Sequence, residues 1–207
     1  YLLKFRVFQN VSQNISTKID ASLAALRRGS MVMIRDQNQR AGFVKAAEFA
    51  DFELPKFPYL DEIPATLCFT KKHVEFLRPN MTSVRPVFSL PANMLSQTQI
   101  VGISIGESQL LPKNATLLPE HKNSLVDLAV RTVKFAKLLP TALLYRLPSS
   151  EPYEQERLSS SYQFPIIEFS DICNFSSNET FLTISIMADL PLKRAPKSKI
   201  IMFRNSN

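Results

Sequence analysis

The chain has 207 residues, 45% of them hydrophobic and 21% charged, with a formal net charge of +7. That length supports one domain with a real core, or one domain with an appendage, and the apolar fraction excludes wholesale disorder. No stretch approaches the roughly 18 apolar residues of a spanning helix, and two cysteines with two histidines exclude a disulfide framework and a clustered zinc site.

The cation excess suits either a soluble basic protein or one that touches RNA or an acidic partner. Basic residues are dispersed except for Lys193, Arg194, Lys197, Lys199 and Arg204, which form a candidate anionic-surface contact near the C-terminus, or a solvated end. Cys68 and Cys173 are expected as two buried free thiols. Six asparagines (Asn10, Asn14, Asn80, Asn114, Asn174 and Asn178) begin glycosylation sequons, which keeps a secretory reading open; the scarcity of cysteine argues against it. The first residue is Tyr1, so the sequence reads as a fragment or processed form, and YLLKFRVF is a candidate edge of a removed targeting segment.

In chain order, residues 1–16 read as an N-terminal extension. Thr17 is a candidate helix cap, Ile19, Leu23 and Leu26 recur at helical spacing, and Gly29 stops the helix. Met31 to Ile34 is a buried strand, Asp36 to Arg40 a polar loop, and a second short element follows. In open α/β sheets a loop at that end of a strand is where ligands bind. Asp36 and Glu48 read as turn and helix-cap residues rather than an acid/base pair. Prolines make 51–64 irregular; 65–70 is a strand and 71–78 a short helix ended by Pro79.

Residues 85–90 and 99–104 read as two more strands. The clearest helix is 124–138, capped by Asn123 or Ser124, with Asp127 in its first turn. A strand follows at 141–147, a polar loop at 148–162 with room for one helical turn, a strand at 165–169 and a last short core helix from Ser170. The alternation predicts an α/β fold of the three-layer α+β type, a mixed sheet flanked by helices, over residues 17–175. Residues 176–207 read as a C-terminal extension with two strand-like segments around a basic loop, a candidate hairpin.

The collinear order of these segments resembles the 3,4-dihydroxy-2-butanone 4-phosphate synthase family of riboflavin biosynthesis. SLAALRRG resembles its first helix and glycine stop, and MVMIRDQNQRAGFVKAAE its first strand and catalytic loop. TLCFTKKHVEFLRPNM, IVGISIGES, SLVDLAV, LLPTALLYRL and FPIIEFSDICNF resemble later family segments in the same order. IMADLPLKRAPKSKIIMF is similar to the opening of the GTP cyclohydrolase II domain fused to this one in bifunctional enzymes.

The resemblance implies a reaction that removes formate from ribulose 5-phosphate. It implies an acidic Arg-Glu-Asn-Glu-Gly-Asp loop, a magnesium ion on hard oxygen ligands and basic groups on the phosphate. The matching residues here are Arg40, Ala41, Gly42 and Phe43: the carboxylates are gone and the loop is shortened. His121 falls on the family's histidine, Asn123 on the following glutamate, and Leu118 on the phosphate-binding arginine. The substrate-binding Asp-Arg becomes Glu107-Ser108, and the glutamate of the Leu-Cys-Glu strand becomes Arg146. Two unit charges about 4 Å apart interact by roughly 4 kcal/mol at an effective dielectric near 20, so Arg146 opposes a divalent ion.

The vestigial positions are thus Arg40, Gly42, Phe43, Glu107, Ser108, His121, Asn123 and Arg146, with no catalytic residue, metal ligand or cofactor expected. The expectation is a non-catalytic synthase-like protein, a structural or binding subunit of a larger assembly, in a mitochondrion or plastid rather than the cytoplasm. Its partners would be protein subunits, with RNA contact and self-pairing as further readings. The alternative is a divergent enzyme or sensor acting on a sugar phosphate such as ribulose 5-phosphate.

Overall fold

The structure, a computed structural model, describes residues 19–50, 63–81, 83–148, 151–177, 182–190 and 197–205. The 1–16 extension, the Thr17 cap, most of the proline-rich 51–64 stretch, Lys193 and Arg194 lie outside the described residues. Two compact units are present, residues 1–172 and 173–207.

Helix α1 spans residues 19–27 and buries Ile19, Leu23 and Leu26. Gly29 ends it at φ 77°, with Gly29 N donating to Leu26 O and Ser30 N to Ala25 O. That double closure needs a left-handed residue, which glycine supplies without a Cβ clash. Strands β1 (Val32–Arg35) and β2 (Ala41–Ala46) form an antiparallel hairpin with every residue buried. Strand β3 (Ala65–Thr70) runs into α2 (Lys71–Leu77), whose start is capped by the Thr70 hydroxyl accepting from His73 N. There follow β4 (Val87–Pro91), α3 (Gln97–Ser104), β5 (Leu118–Glu120), α4 (Leu125–Phe135), β6 (Thr141–Arg146), α5 (Pro152–Tyr162), β7 (Ile166–Glu168) and α6 (Phe169–Ser177).

The sheet of seven strands has the order β5-β4-β3-β6-β2-β1-β7. It is mixed: β1 pairs with β7 in parallel, and every other pair is antiparallel. On one face, Leu67, Phe69, Phe88, Leu90 and Leu143 pack with Val74, Leu77, Ile100 and Ile103 of α2 and α3. The alternate residues Val44, Cys68, Ala142 and Leu144 point to the other face. They are fully buried there, where α4 crosses β2, β3 and β6. The result is an α+β fold with helices on both sides of a mixed sheet.

Three sequence expectations are corrected. Residues 99–104 belong to α3, not a strand. Ser96 Oγ accepts from Gln99 N and the Gln99 side chain accepts from Ser96 N, a reciprocal cap that starts a helix despite the β-branched run after it. Residues 152–162 form α5, not a loop. Its inward face is carried by Gln155 and Ser159, which bury through hydrogen bonds, so no apolar period marks it. Glu48 is not a helix cap: it lies in the 3-10 turn Ala47–Phe49, and its carboxylate accepts from Leu139 N at 3.2 Å.

Because the sheet is largely antiparallel, the turn after β1 simply reverses the chain. It is not a crossover loop at a topological switch point, which removes the reason given for expecting a ligand there. Both cysteines are free; Cys68 is buried, whereas Cys173 on α6 is only half-buried.

In the second unit, β8 (Leu182–Asp189) and β9 (Lys199–Asn205) pair antiparallel with a register shift between Ile184 and Ile186. Ile184, Ile186, Met187, Ile200, Ile201 and Met202 of these strands are exposed.

Candidate functional site

The turn between β1 and β2 is closed by its own ends. Asp36, with a fully buried side chain, accepts from Asn38 N at 2.9 Å and Arg40 N at 3.0 Å through Oδ1. Its Oδ2 accepts from Arg40 Nε at 2.8 Å and meets Nη2 at 2.7 Å. The carboxylate is therefore saturated by the turn that it builds, and Arg40 folds back on that turn.

Directly below, Arg35 is buried with its Nε donating to Gln155 Oε1 at 2.8 Å and Nη1 to Glu168 Oε1 at 3.0 Å. Gln155 Nε2 in turn donates to Gln39 O at 2.8 Å. This chain ties the hairpin turn to α5 and β7. Gly42 pairs with Arg146 across β2 and β6, and a Cβ there would lie 2.7 Å from Leu144 Cδ1 and 2.9 Å from Tyr145 O. Phe43 is core: it meets Phe164 edge-on at 5.4 Å and Tyr162 at 6.4 Å, beside Met31 and Met33.

Arg146 Nη2 donates to Glu120 Oε1 at 3.2 Å, and the same oxygen accepts from Ser89 Oγ at 3.1 Å. Cys68 lies on the strand beside Ser89. Burial pushes its thiol well above the usual range, with a smaller lowering by Arg146 and a smaller raising by Glu120. Burial in this way favours the neutral thiol over the thiolate.

His121 follows Glu120 and is exposed. Its Nδ1 lies 2.6 Å from Arg85 Nη1, and since a guanidinium only donates, Nδ1 is the acceptor of this contact. Asn123 adopts φ 64° and its N–H donates to Asp127 Oδ2 at 2.9 Å. Ser124 Oγ accepts from Asp127 N, which completes the start of α4.

The structure brings Gly42, Arg146 and Glu120 together, with His121 next in sequence to Glu120. Glu107 and Ser108 belong elsewhere, in the turn after α3, where Glu107 N donates to Gly102 O at 2.9 Å. Lys197 and Lys199 are exposed in the second unit, Lys199 within 3.9 Å of Asp189, and Arg204 lies on β9 opposite Thr183. Sequence reasoning missed Ser89, Arg85, Glu120 and Gln155. None carries a local motif; each is identified only by its distant partner. Among the described residues no three of His, Cys, Asp and Glu cluster as a metal site would require.

No protein-family model matches the sequence, and no curated protein matches it. Solved structures do match the fold. One is RibBX, a two-domain 3,4-dihydroxy-2-butanone 4-phosphate synthase from A. baumannii, at TM-score 0.52 and 11% identity, over 90% of this chain and 66% of that one. The synthase of Candida albicans aligns at TM-score 0.51 and 15% identity, over 77% of this chain and 97% of its own. A synthase in complex with two magnesium ions aligns at TM-score 0.54 and 10% identity, over 78% and 97%.

Proposed function

With a fold like that of the 3,4-dihydroxy-2-butanone 4-phosphate synthases as the starting point, we propose that this chain is a non-catalytic relative that serves as a structural or binding subunit. The observation that carries this reading is Arg146 bound to Glu120. The resemblance puts a metal-binding glutamate where Arg146 stands. A guanidinium at that point repels a divalent cation and occupies the nearest carboxylate. The hairpin turn supports the same reading, since Asp36 spends its oxygens on Arg40 and on two backbone N–H groups. The residues at these positions do not fit magnesium, and we derive no step through it.

A partner-bound role is supported by the second unit. A two-stranded sheet is marginal alone in water. Here it leaves Ile186, Met187 and Met202 more than half exposed, at 55%, 52% and 54%, which is the mark of a surface that another component covers. The net charge of +7 favours acidic proteins or RNA as neighbours. An organellar assembly, in a mitochondrion or plastid, is the setting that we propose.

Two measurements test this reading. Purified protein incubated with ribulose 5-phosphate and magnesium should release no formate above buffer; robust turnover overturns the reading. Tagged full-length protein should co-sediment in a large complex at low salt; sedimentation as a free monomer at every salt concentration counts against a subunit role.

A further inference from the structure

A second feature is built on α2 and α4. Between α2 and α4 lies a cleft of about 590 Å³. Its lining includes none of Arg40, Gly42, Phe43, Glu107, Ser108, His121, Asn123 or Arg146. The start of α2 supplies Lys71 and Lys72, and one stripe of α4, at i, i+4 and i+7, supplies Asp127, Arg131 and Lys134. Four cations thus face one carboxylate.

Two of the four are already engaged: Lys71 lies 3.6 Å from Glu75, and Arg131 lies 3.9 Å from Asp127. Lys72 and Lys134 are exposed, and among the described residues neither has a carboxylate within ion-pair distance. Between the cations the floor is apolar, with Val87 and Val130 buried.

At the rim sits Phe76, 65% exposed. Its Cε1 lies 2.9 Å from where a Cβ on Gly106 would stand, so the backbone of that turn backs the ring on one side. His73 is fixed beside it, stacked on Phe69 at 5.7 Å with Nε2 donating to Ile103 O at 2.9 Å. Burial lowers the pKa of His73, so it adds no charge at neutral pH.

We propose that this cleft binds a nucleotide: the phosphate between Lys72 and Lys134, and the base against the exposed ring of Phe76. Exposed cations on both walls provide the electrostatic attraction, and a supported aromatic face provides sequence-tolerant stacking. The ligand is either a free nucleotide or one unit of a single-stranded RNA, which share this chemistry. The site is independent of the non-catalytic reading, because it uses none of the same residues.

Calorimetric titration of the full chain with inorganic phosphate, AMP and a short oligouridylate tests this. AMP or oligouridylate should bind, and more tightly than phosphate. Phe76→Ala should weaken AMP about tenfold, in line with stacking energies, and leave phosphate unchanged. The pair Lys72→Glu with Lys134→Glu should abolish binding. The milder Lys72→Gln with Lys134→Gln should lower the salt slope for oligouridylate by about 0.7 per lysine. AMP bound as tightly as oligouridylate assigns a free nucleotide, and oligouridylate bound over tenfold tighter assigns a strand; both support the site. Failure of all three probes to bind, or binding untouched by either lysine pair, overturns it.

Discussion

Arg146 and Glu120 meet at 3.2 Å, on a carboxylate oxygen that also takes the Ser89 hydroxyl. The pair joins β6 to the edge strand β5, although β4 and β3 lie between them in the sheet.

The pair is partly open to water, with side chains 42% and 23% exposed. Its contribution to stability is therefore small. Arg146→Ala should cost under about 1 kcal/mol in urea unfolding, since exposed ion pairs rarely exceed that. A larger loss would mean that Arg146 carries packing as well as charge.

Gln155 has a heavier role. It bridges Arg35 Nε and Gln39 O, and Arg35 Nη2 is buried with no hydrogen-bond partner among the described residues, 4.0 Å from Glu156. Gln155→Leu keeps the volume and removes both bonds, leaving a buried guanidinium short of a second acceptor. The expected cost is about 2 kcal/mol, the scale of a lost hydrogen bond to a charged group. Chemical denaturation measures it.

Gly42 tests the close approach of β2 to β6. A methyl group there meets Tyr145 O at 2.9 Å, a backbone atom that cannot swing aside. Gly42→Ala should destabilise by about 1–3 kcal/mol, as overpacking does. A neutral or stabilising result in thermal unfolding would show that the strands can separate at this point.

His73 gives stability a pH dependence. Burial holds its folded pKa below the unfolded value of 6.5, so the unfolded chain binds the proton more readily. Stability is fully present above 6.5 and is lost as pH falls from there toward the lower folded pKa. His73→Gln retains a donor for Ile103 O and cannot titrate. Its unfolding free energy should fall less than that of the parent between about pH 7 and pH 5; equal slopes would place the effect on other groups.

Much of the fold could be read locally. The α1 stop at Gly29, the buried run of β1, the Ser124 cap of α4 and the β8–β9 pairing all follow from spacing, capping chemistry and alternation. Two elements defeated that reading for opposite reasons. In α3 a β-branched run looked like a strand, and a local cap overrode it. In α5 the buried face is polar, so periodicity was silent, and only Arg35 and Phe164 explain why Gln155 and Ser159 turn inward.

The sequence by itself determined which side chains are available: residues 40–43 read Arg-Ala-Gly-Phe and carry no carboxylate, and position 146 is an arginine. Tertiary structure alone decided what those side chains meet. Glu120 is 26 residues from Arg146, and Gln155 is 120 from Arg35. Likewise, Lys72 and Lys134 share a cleft only because α2 and α4 both border it. Partners at such separations are selected by strand order and helix placement, which no local pattern encodes.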